Sequence, residues 1–247
     1  MGTKTSAYRR KSDPLVAQRA AEAWGVLSLS ELFDCGLTEA AVGRRVAAGR
    51  LHRVYSGVYA VGHAGITPEG RWLAAVKACG PHAVLSHASA AMLFGLLPLD
   101  DRRPQVTVPH NGRRAPAGVL VRRTRSLDPR DVWRHKGIPV TSPARLALDL
   151  SPNMEDTALR RLMSRTQAQH LTNLRLLAQQ LDRAAGRPGR GRYARVLATA
   201  RRPRAASWRT ACWTSSRLGA SPGPTSTSRS TSAAAGSSPT SADPSSA

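Results

Sequence analysis

Residues 24–61 read WGVLSLSELFDCGLTEAAVGRRVAAGRLHRVYSGVYAV, a pattern of two short capped helices and a hairpin. Ser28, Leu29, Ser30 and Glu31 form an S-x-x-E capping box, which predicts a helix that starts at Leu29, runs through Leu32 and Phe33 and stops near Gly36. Thr38 is placed to cap a second helix that Gly49 ends, with Val42 and Val46 on its inner face and Arg44 and Arg45 pointing outward. Leu51–Tyr55 and Val58–Val61 are rich in β-formers around Ser56-Gly57, as in a two-stranded wing. Helix, turn, helix and wing together imply a DNA reader. The second helix would enter the major groove, and Arg53 would meet a phosphate beside it. The candidate contacts are Thr38, Arg44, Arg45, Arg50 and Arg53.

Upstream, Leu15, Ala17, Ala20 and Ala23 place a first helix of the same module over residues 14–23, preceded by a flexible basic arm over residues 1–13. The winged module is expected over residues 14–63 and a second domain over residues 67–197. In the second domain Trp72, Leu73 and Val76 mark a helix over residues 67–79, and residues 86–97 a further apolar helix. Gln105–Val108 and Val119–Arg123 are short β-type runs separated by HNGRRAPAG, which predicts a small antiparallel sheet, and Ile138–Val140 is a further strand. Ser142 with Pro143 opens a helix through Leu150, and residues 155–170 and 171–184 continue helical. The fold class is α+β.

Gly49–Val61, with G-R-L-x-R-V-Y-x-G-V-Y-A-V, resembles the N-terminal winged helix of the AbiEi-type antitoxins of bacterial type IV toxin-antitoxin systems. The likeness continues in Ser86–Ala91 (SHASAA) with Gly95-Leu96, and in Gly137–Arg145 (GIPVTSPAR) with Asp149-Leu150, so that it spans roughly residues 14–197. The resemblance implies an autoregulatory transcriptional regulator that binds duplex DNA of its own promoter and counteracts a nucleotidyltransferase toxin. It also implies an actinobacterial branch in which many relatives carry a further nuclease-like C-terminal domain.

Charge and cysteine usage fit that reading. The formal charge of +22 favours a polyanionic partner, although all basic residues except Lys4, Lys11, Lys77 and Lys136 are arginine, as GC-rich coding alone produces. Cys35, Cys79 and Cys212 form no C-x-x-C pair, which argues against a disulfide framework or a zinc site and suits a reducing cytoplasm. No run of about twenty apolar residues is present to cross a membrane. Catalytic constellations are thin, and no cofactor or metal is expected. His87 follows Ser86, but neighbours on a helix do not face each other, so a buried, hydrogen-bonded histidine is the expectation. Arg145 and Asp149 stand at i and i+4 as a structural ion pair. Gly186–Gly191 (GRPGRG) lacks the GK[ST] ending of a phosphate loop and reads as a basic linker.

Residues 198–247 are biased to Ser, Thr, Ala, Pro and Gly without a periodic apolar face, the pattern of a disordered tail. A sharper expectation comes from the genetic code. With GC-rich codons read in one shifted frame, residues 204–214 give RSELEDRVLD and residues 224–241 give DVNVPLDVGGRRVIPDFR, while Trp208 and Trp213 leave no codon freedom. The tail is thus read as an out-of-frame remnant of a nuclease-like domain. The alternative function is a truncated or frameshifted member of an endonuclease-fold family without activity, since Asp243 is the one acidic residue after position 200 and a metal nuclease needs several. The chain is not expected to be an enzyme.

Overall fold

The structure is a computed structural model that describes residues 3–109, 115–125 and 127–201, with side chains from residue 13 onward up to residue 200. The shifted-frame reading of residues 204–241 lies outside the described residues. The described residues form one compact unit.

The unit begins with α1 (Thr3–Glu22), β1 (Val26–Ser28), α2 (Leu29–Asp34), α3 (Glu39–Ala47), β2 (Leu51–Tyr55) and β3 (Val58–Val61). α1 starts well before Pro14, where a basic arm was expected; Pro14 lies inside the helix rather than at its start. The capping box holds: the Glu31 amide donates to Ser28 Oγ at 3.3 Å, and the Ser28 amide donates to Glu31 Oε2 at 2.7 Å. Such a cap contributes about 1 kcal/mol. α2 and α3 both stop at a left-handed glycine. Gly36 has φ +84 and Gly49 φ +66, and the amides that follow reach back, Leu37 to the Leu32 carbonyl and Arg50 to the Arg45 carbonyl. Only glycine adopts that conformation at no steric cost.

The wing is broader than the expected hairpin. β1 joins it, giving a three-stranded antiparallel sheet in the order β1-β3-β2, with a register shift between Arg53 and Tyr55. Val16, Leu27, Leu32, Val42, Leu51 and Tyr59 form the core beneath.

The rest of the unit comprises α4 (Pro68–Cys79), β4 (Val84–Leu85), α5 (His87–Leu93), β5 (Gln105–Pro109), β6 (Leu120–Thr124), β7 (Val132–His135), β8 (Ile138–Thr141), α6 (Pro143–Leu150), α7 (Asp156–Ala168), α8 (Leu174–Arg183) and α9 (Arg190–Arg201). The α+β class stands, but the sheet is five-stranded and mixed, in the order β6-β5-β4-β8-β7. β5 and β6 run parallel, with Gln105 beside Leu120 and Thr107 beside Arg122, instead of forming the expected antiparallel pair. The ten residues between them span about 33 Å when extended, roughly twice the length of β5, so the chain can return to the start of that strand. Antiparallel pairing occurs between β4 and β5 and between β7 and β8.

α9 begins at Arg190, inside the Gly186–Gly191 segment expected to be a linker. Its Tyr193, Val196 and Leu197 stand at i, i+3 and i+4 and are buried in the larger core. The turn before it is packed too, because a Cβ at Gly189 would meet Ser151 and Pro152 at 2.8 Å or less.

The winged module is bound to the rest of the unit through α4 and the turn between β7 and β8. Val26 and Val58 share a small core with Ala74 of α4, and the Trp24 indole donates to the Lys136 carbonyl at 2.9 Å.

Candidate nucleic-acid interface

α3 is oriented by what lies under it. Thr38 caps it, its Oγ1 accepting from the Ala41 amide at 3.3 Å, so this hydroxyl serves the helix rather than a free surface. Val42 is buried against α1 and the sheet. Arg45 was expected to point outward and does not. Its side chain is 12% exposed and its guanidinium pairs with Asp13 of α1 and donates to the Ala41 carbonyl. Val46, expected inward, is 37% exposed. The inner stripe of α3 therefore runs through Val42 and Arg45, at i+3, instead of through Val46 at i+4. A helix accommodates either spacing, and the Asp13 carboxylate decides between them.

Arg44 remains on the outer face of α3, together with Glu39, Ala40, Gly43 and Ala47. Arg50 follows the Gly49 turn and is exposed, and Arg53 projects from β2 with its guanidinium 5.9 Å from the Tyr59 ring centroid. That contact holds a cation at the wing surface. Arg44, Arg50 and Arg53 thus lie on the helix, the turn after it and the first strand of the wing, whereas Arg45 is a strut between α3 and α1. Arg19 of α1 lies 3.7 Å from Asp34, an exposed pair that adds little stability.

The capping box does a second job that sequence reasoning missed. Glu31 Oε2 also accepts from Lys77 Nζ at 2.6 Å, and Lys77 donates to the Val26 carbonyl at 2.8 Å. One ammonium from α4 thereby clamps both α2 and β1. Burial pulls the Lys77 ammonium below its ordinary value, with Glu31 offsetting part of that. Burial pushes the Glu31 carboxyl up, yet hydrogen bonds from Lys77 and Ser28 outweigh it and hold the group low. The signal available in the sequence was Lys77 itself, a charge amid the apolar residues of α4.

On α6 Arg145 is 3% exposed and bridges two carboxylates, Asp149 at 2.7 Å and Asp131 at 3.3 Å. The expected i, i+4 pair is present, and Asp131, also 3.1 Å from Arg183, extends it across the fold. Ser86 and His87 do meet, contrary to expectation: Ser86 Oγ lies 3.0 Å from His87 Nδ1. Ser86 precedes α5 in extended conformation and His87 has φ +52, so the rule for helix neighbours does not apply. Ser86 is fully buried, which withholds its hydroxyl from attack on any substrate.

No helix among the described residues is long and apolar enough to cross a membrane. Cys35 and Cys79 are free and buried. Among curated proteins none matches the chain. Two family models do. Residues 14–62 match the one described as transcriptional regulator, AbiEi antitoxin, and residues 82–196 match the AbiEi antitoxin C-terminal domain, leaving α4 between the two matched segments. The first match covers the capped helices and wing and the second covers the mixed sheet with its helices, so the chain belongs to the AbiEi antitoxin family of regulators.

Proposed function

We propose that the winged module binds duplex DNA from the protein's own promoter region, with α3 in the major groove and β2–β3 against the backbone, and that the chain acts in the cytoplasm as the antitoxin of a type IV system. The observation that carries this reading is the exposed placement of Arg44, Arg50 and Arg53 on a capped helix, its exit turn and the adjoining strand. Helix-turn-helix proteins put base-reading residues on the second helix and phosphate-binding residues on the wing. Arg44 then reads a base edge or phosphate while Arg50 and Arg53 hold the backbone. Thr38 and Arg45 contribute by holding α3. The second sheet is assigned the opposition to a nucleotidyltransferase toxin, a regulatory and not a catalytic role. The buried Ser86 supports that.

A fluorescence-anisotropy titration of full-length protein against a labelled promoter duplex tests the reading. Affinity falls steeply with salt, and Arg44→Ala with Arg53→Ala weakens binding by roughly 2 to 4 kcal/mol. Unchanged affinity in that double variant overturns the assignment. For the toxin arm, co-expression with a neighbouring nucleotidyltransferase restores growth; continued arrest despite soluble protein refutes it.

A further inference from the structure

Ser86 and His87 take no part in the winged module, and the residues around them form a polar row across the second sheet. The β5–β6 register sets Thr107 beside Arg122. Leu85 pairs with Val140, so the next residues of β4 and β8, Ser86 and Thr141, lie side by side on the face shared with Thr107. Arg122, Thr107, Ser86 and Thr141 thus cross four neighbouring strands on one face, while Val106, Leu85 and Val140 occupy the other. Three of the four are buried.

The hydrogen bonds of this row set the state of His87. Thr107 Oγ1 donates to Ser86 Oγ at 2.8 Å, and Ser86 Oγ lies 3.0 Å from His87 Nδ1. With Thr107 donating to it, Ser86 is free to donate in turn, an order that makes Nδ1 the acceptor and Nε2 the protonated nitrogen. Burial pushes the pKa of the imidazole down. The charged groups that act on the ring are Asp149, which raises its pKa, and Arg122 and Arg145, which lower it. The left-handed φ of His87 sets its half-buried ring at the first residue of α5, just past the end of β4. Asp149 Oδ1 is engaged by Arg145, but Asp149 Oδ2 is buried and has no hydrogen-bond partner among the described residues, and nor has Thr141 Oγ1. A buried carboxylate oxygen without a donor is costly.

We propose that His87 and Arg122 bind a phosphate group at this end of the second sheet, with the imidazole Nε2–H and the Arg122 guanidinium as donors. A phosphate near neutral pH offers oxygens to both and, in its protonated fraction, a P–OH that suits Asp149 Oδ2. Thr107 and Ser86 are positioning residues that fix the tautomer. Nothing in this site depends on DNA binding by the winged module.

Imidazole nitrogen NMR on the full-length protein tests it, with inorganic phosphate and adenosine monophosphate as separate probes and sodium chloride at matched ionic strength as control. The expected result is an Nε2–H tautomer at His87 and a saturable shift with phosphate but not with chloride. Arg122→Gln, at an exposed position, lowers the affinity about tenfold. Thr107→Val keeps the fold, removes the tautomer bias and also weakens binding. His87→Asn, which tolerates the left-handed conformation, abolishes it. Equal affinity for the two probes assigns the site to phosphate alone, and tighter adenosine monophosphate assigns it to a nucleotide's phosphate; both support the proposal. An Nδ1–H tautomer, the absence of a saturable shift with either probe, or affinity unchanged in Arg122→Gln overturns it.

Discussion

Replacing Lys77 by Met removes the clamp between α4 and the winged module while keeping the length of the side chain. Two charge-assisted hydrogen bonds disappear, to Glu31 at 2.6 Å and to the Val26 carbonyl at 2.8 Å. Bonds to charged groups contribute about 1.5 to 3 kcal/mol each when buried. Glu31 is 34% exposed and keeps its Ser28 donors, so the lower end, about 1.5 kcal/mol, applies to it. Val26 is fully buried, and a carbonyl that loses a donor there costs roughly another 1.5 kcal/mol. Against these stands the desolvation of an ammonium only 14% exposed, relieved in the variant and worth about 1 kcal/mol in return. The net loss is about 2 kcal/mol. In urea at neutral pH, with a slope of about 2 kcal/mol per molar, the midpoint moves down by roughly 1 M. Amide exchange should also speed up in β1 and α2 before it does in the second sheet. A midpoint shift below about 0.2 M, with exchange in β1 unchanged, would show that the apolar contact of Val26 and Val58 with Ala74 holds the module by itself and that the clamp is dispensable.

Gly43 sits on the outer face of α3 with open space where a Cβ would go, so Gly43→Ala should raise stability by up to about 1 kcal/mol in thermal unfolding, and Gly43→Glu should leave the fold intact but prevent DNA binding in the anisotropy assay. Arg145→Met leaves Asp149 and Asp131 buried with fewer partners, and chemical denaturation should record a loss of about 3 to 5 kcal/mol; a loss below about 1 kcal/mol would refute the network as a fold determinant. Burial holds the pKa of both His87 and His135 below the ordinary histidine value of 6.5, so the unfolded chain takes up protons that the folded one refuses; stability should be fully present above pH 6.5 and decline as pH falls through the lowered values, and His87→Asn should flatten that slope in unfolding curves recorded across the range.

The elements that the sequence revealed are those whose hydrogen bonds close within a few residues. Ser28 with Glu31, Thr38 with Ala41, and the glycines at 36 and 49 each act on a partner no more than five positions away, so the two helices, their ends and the turn between them could be placed by spacing. Ser142 capping α6 is another such case. α9 was legible in principle from Tyr193, Val196 and Leu197, but the flanking glycines and arginines masked its period.

Sequence alone thus determined the helix-turn-helix, its caps, the α+β class and the family motifs, because local backbone geometry and short-range hydrogen bonds are written into adjacent residues. Tertiary structure alone decided which arginine of α3 faces out, since Asp13 reaches Arg45 from 32 positions away. It also decided that β6 lies parallel to β5, that Lys77 clamps Glu31 from 46 positions away, and that Trp24 rests on the Lys136 carbonyl, 112 positions distant. Each of these is a choice between arrangements that local physics leaves nearly equal in energy, and it is made by a contact whose partner only the folded chain brings within reach.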